Sequence, residues 1–378
     1  MKKKKVMSVV LAAIMTVGLL SGCGTSKESD SKDGEQVTLN YWTWFPSTDQ
    51  IEETVKAFEK ENPDIKINMT VMESKAFQEK VPLALSTEED IDVIGVQPSA
   101  FAEEVQDYLA NLDELMPEAA GEDWKELYSE KCLEQGNHLT SGDTKMLVLT
   151  NSGSMIGYYN AALLKELGCD VPKTIEEYKM AFEGFKKFFD EGIFTKDTLD
   201  LDYASATEEF TNGNALVYYM GSWESPLLSK QLREKNGIEL EDVGAMALPI
   251  VEKDGTASVR SYIDSGIGIV DYSEKKEAAA KFVAYLALGE GADIFGKQLT
   301  GTSAKKEFSV DESLFASDTA KQGWDTVVEL INNGTADRNN VSGYSDIEGA
   351  EVQSYINGTK TVDEALKTCQ KEWTSGKY

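Results

Sequence analysis

Histidine is almost missing from this 378-residue chain: His138 is the single one. Ser-His-Asp, Cys-His and His-based metal arrangements would therefore all have to run through that residue. It stands in a polar stretch, residues 135–143, that reads as an exposed loop. No GxSxG, HExxH, Walker loop or GxGxxG occurs. Asp200 and Asp202 lack the glycine and closing glutamate of a calcium loop and read as solvated acids. Basic charge is also scarce, 37 Lys and Arg against 66 Asp and Glu, for a net charge of −29. That balance argues against nucleic acid as a partner and against a polyanionic ligand. After residue 20 no apolar run is long enough to cross a bilayer. No metal, no cofactor and no enzymatic activity are expected. A glycosidase needs only two carboxylates, so with 66 acids it is the enzymatic rival that counting leaves open.

What is present begins with an export signal. Lys2 to Lys5 precede an apolar run over 6–20, a basic head and hydrophobic region that are not part of the fold. Leu20-Ser21-Gly22-Cys23 resembles the bacterial lipobox, which implies cleavage before Cys23 and acylation of its thiol. Loss of 1–22 removes four lysines and no acid, taking the net charge from −29 to −33. Several acyl chains on one residue would anchor the protein durably, at ~0.8 kcal/mol per buried CH₂. Residues 23–36 are rich in Ser, Asp, Lys and Gly and read as a flexible tether. Cys132, Cys169 and Cys369 remain, an odd number, so at least one thiol is unpaired within the chain.

The folded part opens with strand, helix, strand. Residues 37–44 read as a strand. Ser47 with Gln50 makes a capping box for a helix with Ile51, Val55 and Phe58 on one face. Residues 65–71 form a second strand, 77–85 a helix holding Pro82, and 91–96 a buried strand. Ser99 caps the next helix, whose inner face is Phe101, Val105 and Tyr108. This βαβαβα order predicts an α/β fold with a parallel sheet. Further strands are predicted at 146–149 and 155–159, with a small polar break between them, then at 243–248 and 266–270. Asn160 caps a short helix, and Thr174 with Glu177 caps a longer one over 175–189. Helices are also expected over 275–288, around Trp324, and after Thr361, with Val362, Ala365, Leu366 and Cys369 inward.

The most informative stretch is 210–224, FTNGNALVYYMGSWE. Ser205 and Glu208 have the capping-box form for a helix running into Phe210, and residues 215–220 read as a strand covered on both faces. Gly221 ends that strand. Ser222-Trp223-Glu224 follows at its carboxyl end, where open α/β sheets bind ligands. Ser225-Pro226 reads as the start of the next helix.

This stretch resembles the NG-x-A-x-x-x-x-GxW segment of bacterial extracellular solute-binding protein family 1, the sugar-transporter group that includes maltose-binding protein. YWTW at 41–44, PSAFAE at 98–103, YYNAALL at 158–164, PKT at 172–174 and TVDEAL at 361–366 support the resemblance in order along the chain. The resemblance implies a two-lobe periplasmic-binding-protein-like fold with three inter-lobe crossings and a ligand cleft between the lobes. It implies an N-terminal lobe of 37–150 plus 265–312 and a C-terminal lobe of 151–264 plus 313–378. Crossings are expected near 151–154, 262–266 and 310–319. The implied partners are a carbohydrate ligand and ABC transporter permease subunits. The protein is expected as a monomer, lipid-anchored on the extracellular face of the cytoplasmic membrane. A binding protein of the same fold for a non-sugar solute is the alternative.

A neutral sugar presents flat apolar faces and hydroxyls, so its site needs aromatic platforms with donors and acceptors around them. Trp42 and Trp44 end the first strand; one is expected in the core and one at the ligand, with Trp44 the candidate. Trp223 aligns with a tryptophan that stacks on sugar in the family, with core packing as its other reading. Glu224 is either a hydroxyl acceptor or a first-turn acid favouring a helix dipole. Gln97 and Ser99 follow a strand end, and Ser99 has capping as its plain role. Tyr262, Asp264 and Ser265 lie at the second crossing, where a hinge is their plain role. Tyr344 lies where the maltose-binding branch carries aromatic contacts, although Ser345 and Asp346 replace further aromatics there, which weakens a maltodextrin assignment. Arg338 is a hydroxyl donor or an exposed loop arginine.

Overall fold

A computed structural model describes residues 36–153, 156–171, 173, 201–248, 259, 261–334, 347, 350, 351, 354 and 359–374. Cys23, the helix predicted over 175–189, Arg338 and Tyr344 lie outside these residues. Among the described residues no helix is long and apolar enough to cross a membrane.

Among the described residues two large hydrophobic cores lie on separate sheets, with a small third cluster of Tyr159, Leu164, Leu216 and Met246. The first sheet has five strands, β1 (Val37–Thr43), β2 (Ile65–Val71), β3 (Val93–Val96), β4 (Leu147–Val148) and β10 (Gly266–Ile269), in the order β2-β1-β3-β10-β4. β1 runs parallel to β2 and β3, as the βαβαβ order requires, and β10 enters antiparallel between β3 and β4, so the sheet is mixed. Helix Thr48–Glu61 closes on the Ser47–Gln50 capping box and buries Ile51 and Phe58 on this sheet. Helix Lys276–Ala287 adds Phe282 and Val283. Buried Asp92 takes hydrogen bonds from Asn40 N at 2.8 Å, Ser273 Oγ at 2.6 Å and Lys275 Nζ at 2.9 Å. A buried carboxylate satisfied on three sides is a structural clasp.

The second core surrounds β6 (Ile156–Asn160), paired antiparallel with β7 (Val217–Met220) and β8 (Val243–Met246). Helix Asp318–Asn333 covers it with Trp324, Val327 and Ile331. Between the cores lies a small sheet of β5 (Thr150–Gly153), β9 (Ser261–Ile263) and β11 (Thr302–Ser303), in the order β11-β5-β9. The polar break expected after residue 149 is therefore a strand: its backbone groups are paired on both sides.

Several local expectations change. Asp202, read as solvated, is the N-cap of helix Tyr203–Thr211 and accepts from Ser205 N at 2.8 Å, so that helix starts before Ser205. Ser225-Pro226 sits inside a 3₁₀ turn, Ser222–Leu228, and the helix proper begins after Ser229, whose side chain caps Lys230–Lys235. His138 lies exposed in the last turn of helix Glu130–Leu139 rather than in a loop. Leu366 in the final helix is 61% exposed and points away from the core that takes Ala365 and Cys369. All three cysteines of the described residues are free thiols.

Candidate functional site

Two tryptophans, Trp44 and Trp223, line a cleft of about 640 Å³. Cavities of this size suit small ligands. A groove of about 660 Å³ over Asn160, Glu166, Gly237 and Glu241 is similar in volume, but it is polar, lies within one half and holds no aromatic platform.

The first wall comes from the end of β1. Buried Thr43 turns the chain there: its hydroxyl donates to Phe45 O at 2.6 Å, and Phe45 N donates back to it at 3.1 Å. That turn delivers Trp44 to the cleft. Its ring leans on Phe77 with centroids 5.3 Å apart, and Phe77 leans on Phe101 at 5.4 Å. The close approach depends on Gly95 in β3. A Cβ there would stand 2.9 Å from the Trp44 ring and 2.5 Å from Thr43 Oγ1. Gln97, at the end of β3, adds a side-chain amide that accepts from Gln78 Nε2. Ser47, Gln50 and Ser74 complete this wall.

The second wall is the turn after β7. Gly221 performs the same service for Trp223, since a Cβ at 221 would lie 2.1 to 2.4 Å from three atoms of the indole. This is the physical content of the G-S-W spacing: the ring folds back over a residue that must have no side chain. The turn is then held by hydrogen bonds. Tyr158 OH of β6 donates to Gly221 O at 3.1 Å and meets Ser225 Oγ at 3.0 Å. Ser222 Oγ meets Ser152 Oγ of β5 at 2.7 Å and accepts from Gly153 N at 3.2 Å. The tryptophan turn is thus tied both to its own sheet and to a strand of the small sheet between the cores.

Glu224 follows, half-buried, and burial pushes its carboxyl above the usual range. Its Oε1 accepts from the Tyr203 hydroxyl, a bond that works in the opposite direction. Burial and the adjacent carboxylate both raise the Tyr203 phenol. Thr207 Oγ1 donates to Tyr203 O at 2.8 Å and pairs with Tyr218 OH at 2.7 Å, fixing that helix to β7. Arg233 is 2% exposed. Its guanidinium donates to Leu227 O, to Leu240 O at 3.1 Å and to Glu241 O at 3.2 Å. It lines the cleft as a bracket for three backbone carbonyls. Asp264 completes the lining from the segment between β9 and β10. Lys235 Nζ reaches from the second wall to Asp49 O at 3.3 Å.

Of the residues picked from sequence, Trp44, Gln97, Trp223, Glu224 and Asp264 line the cleft together. Trp42, Ser99 and Tyr262 do not. Positions two apart in a strand share a face, so alternation does not separate Trp42 from Trp44 as expected; Trp44 lies beyond the end of β1, and the turn at Thr43 is what separates them. Trp42 packs against the first core. Ser99 caps helix Ala100–Val105, accepting from Phe101 N at 3.4 Å. Tyr262 is buried in β9 opposite Ser152. Tyr203, Thr207, Arg233 and Asn236 line the cleft without having been singled out. Asp202 as a cap was the available signal for Tyr203, because it starts a helix one residue before it.

Comparison with known proteins fits this geometry. A family model described as bacterial extracellular solute-binding protein matches residues 45–293. The chain is similar to the multiple sugar-binding protein of Streptococcus mutans, with 27% identity over 180 residues. That match covers 46% of this chain and 39% of the relative's length. Among solved structures, an ABC substrate-binding protein from Listeria monocytogenes in complex with cycloalternan superposes with a TM-score of 0.70 at 17% identity. It covers 89% of this chain and 98% of that one. Maltose-bound MalE3 of T. maritima gives 0.68 at 15%, over 89% and 98%. At such identities the likeness is one of fold, a two-lobe binding protein.

Proposed function

The chain belongs to the bacterial extracellular solute-binding protein family, and on that premise we propose that it captures a neutral sugar or short oligosaccharide and delivers it to an ABC permease. The observation that carries this is the facing pair Trp44 and Trp223, each mounted on a glycine, with the side chains of Gln97, Glu224 and Asp264 beside them. Indole faces stack on the apolar faces of sugar rings while amide and carboxylate oxygens take up hydroxyl protons. Two relatives with sugar-binding names or bound sugars point the same way. Arg338 and Tyr344 are proposed to extend the site from the second lobe.

The lobes, 37–150 plus 265–312 and 151–264 plus 313–378, would close about the paired strands β5 and β9. Neither wall alone desolvates a ring, so affinity depends on closing, and the ligand favours the closed state by its differential affinity. The lipobox and the basic, apolar leader support a diacyl anchor on Cys23 at the outer face of the cytoplasmic membrane. Cys23→Ser should then release the protein from membranes or leave it uncleaved, and wild-type protein without fatty acid would contradict the anchor.

A thermal-shift screen with maltotriose, xylotriose and chitotriose tests the main reading. A bound saccharide should raise the melting temperature in proportion to log concentration, and chromatography should return it intact. Hydrolysis products would move the assignment to a glycosidase. No shift with any saccharide, but one with a peptide or polyol, would keep the fold and change the ligand.

A further inference from the structure

Tyr203 is the unexpected member of the cleft. It is 55% exposed, yet its hydroxyl engages the cleft carboxylate of the second wall. That hydroxyl donates to Glu224 Oε1, and Trp223, next to Glu224 in the chain, lines the same cleft. Thr207 fixes the base of this pair by bonding both Tyr203 O and Tyr218 OH.

We infer that Tyr203 is a positioning and specificity-determining residue of this cleft, setting the direction and number of the Glu224 oxygens left for the ligand. The inference rests on the sugar-binding reading only for its ligand consequences. An exposed tyrosine ring contributes little to folding, whereas its oxygen holds the acceptor in place. With Oε1 engaged by Tyr203, Glu224 offers its second oxygen to a single ligand hydroxyl. A free carboxylate would instead chelate two neighbouring hydroxyls. The pair therefore favours a ligand with one hydroxyl pointed at this corner.

The titratable and charged groups around Glu224 are Tyr203 on its helix, Tyr218 on β7 and Tyr158 on β6, with Asp264 and Arg233 lining the same cleft. All three phenols are raised by burial, Tyr218 to about 12, so they stay neutral at any working pH. Glu224 is then the member of the pair whose charge changes over the acid range, and Trp223 is its neighbour in the chain. Burial raises its pKa and the Tyr203 bond lowers it, so loss of the bond has a defined sign.

The test is a pH titration of tryptophan emission on the full chain without ligand, taken as the difference from Trp223→Phe so that the other five tryptophans cancel. The wild type should show an acid-range step. Glu224→Gln should abolish it, and Tyr203→Phe should move its midpoint to higher pH. A step that survives in Glu224→Gln, or a midpoint unmoved in Tyr203→Phe, overturns the Tyr203–Glu224 pairing; a merely structural tyrosine would change intensity and leave the midpoint in place. Isothermal titration with maltotriose, xylotriose and chitotriose supplies the second arm. Tyr203→Phe and Glu224→Gln should each weaken whichever saccharide binds by about tenfold. The double variant should lose less than the product of the two, and an additive result overturns the proposal. If none of the three binds the wild type, the sugar reading fails on its own and the emission titration still decides the Tyr203–Glu224 pairing.

Discussion

The two walls of the cleft solve one problem with different physics. Each must hold a large indole at a fixed angle over a solvent-filled gap, and each puts a glycine behind the ring. Beyond that glycine they diverge. Trp44 is backed by Phe77 and Phe101 and by the buried strand β3. Dispersion and hydrophobic burial fix its ring, and hydrogen bonds enter only at the Thr43–Phe45 backbone turn. Trp223 sits on a turn held by more directed bonds: Tyr158 and Ser222 grip the turn, and Arg233 brackets the carbonyls beneath. An apolar backing tolerates small changes of angle. A hydrogen-bonded one has few arrangements and switches between them. The wall tied through Ser222 to Ser152 of the small central sheet is the hydrogen-bonded one, so a rotation about that sheet reaches Trp223 through bonds and reaches Trp44 only through packing.

The comparison breaks most violently at Arg233. Arg233→Met keeps the volume and removes the donors, leaving the Leu227, Leu240 and Glu241 carbonyls without them. Orphaned buried acceptors cost about 1–3 kcal/mol each, so a loss of about 3 kcal/mol or more is expected in chemical denaturation, with ligand binding lost alongside. The first wall has no such keystone. Phe77→Leu should lower stability by about 1–1.5 kcal/mol and leave a measurable site. Equal losses in the two variants would show that the walls are built alike after all.

The paired glycines sharpen the contrast. Gly95 lies in the middle of the five-stranded sheet, where a methyl meets the Trp44 ring at 2.9 Å and, at 2.5 Å, the hydroxyl of Thr43, which is buried and already bonded to Phe45 O. Gly95→Ala should cost about 2 kcal/mol of stability, as overpacking does. Gly221→Ala drives the Trp223 ring outward into the cleft. There it should cost about tenfold or more in affinity, as displaced aromatic anchors do, with little change in melting temperature. Thermal melts and calorimetry on both variants separate the two effects, and a stability loss at Gly221 matching that at Gly95 would remove the distinction.

These differences also explain what the sequence made legible. Strands β1 and β2 stand out by alternating apolar and polar residues, β3 and β10 as short apolar runs, and the Ser47–Gln50 and Thr361–Glu364 boxes form as read. Trp44 and Trp223 were legible because a strand end and a GxW spacing mark their places. Helices Leu112–Ala120 and Glu130–Leu139 were not: Pro117 interrupts one, and Gln135-Gly136-Asn137 gives the other the look of a loop. They are helical because Asn111 and Ser129 cap them and because Met116 and Cys132 have a core to meet. The polar strand β5 hides for the same reason, since its partners β9 and β11 lie more than a hundred residues away. Arg233 and Tyr203 are invisible in sequence because their roles are defined by carbonyls and a carboxylate that only the fold brings near.

The smallest effect separates affinity from stability within the second wall itself. Burial raises the Glu224 carboxyl above its unfolded value, so the folded chain resists its ionisation. Below the unfolded pKa both states are protonated and Glu224 adds no penalty. As pH rises through the raised folded value, the unfolded chain has already released its proton, and folding must carry a half-buried charge. Glu224 therefore subtracts stability from the empty protein at neutral pH, and the subtraction vanishes in acid. Glu224→Gln should melt slightly higher than wild type at pH 7 and show no difference near pH 4, with exposed Glu104→Gln correcting for the lost negative charge. Affinity should move the other way, because the ionised carboxylate is the stronger acceptor for a ligand hydroxyl. Wild-type binding should weaken as pH falls through the raised Glu224 value, while binding by Glu224→Gln stays weak and flat. A variant that is both less stable and pH-insensitive in its melting would mean that the carboxylate stabilises the empty wall, and that the second wall spends no stability to hold its acceptor ready.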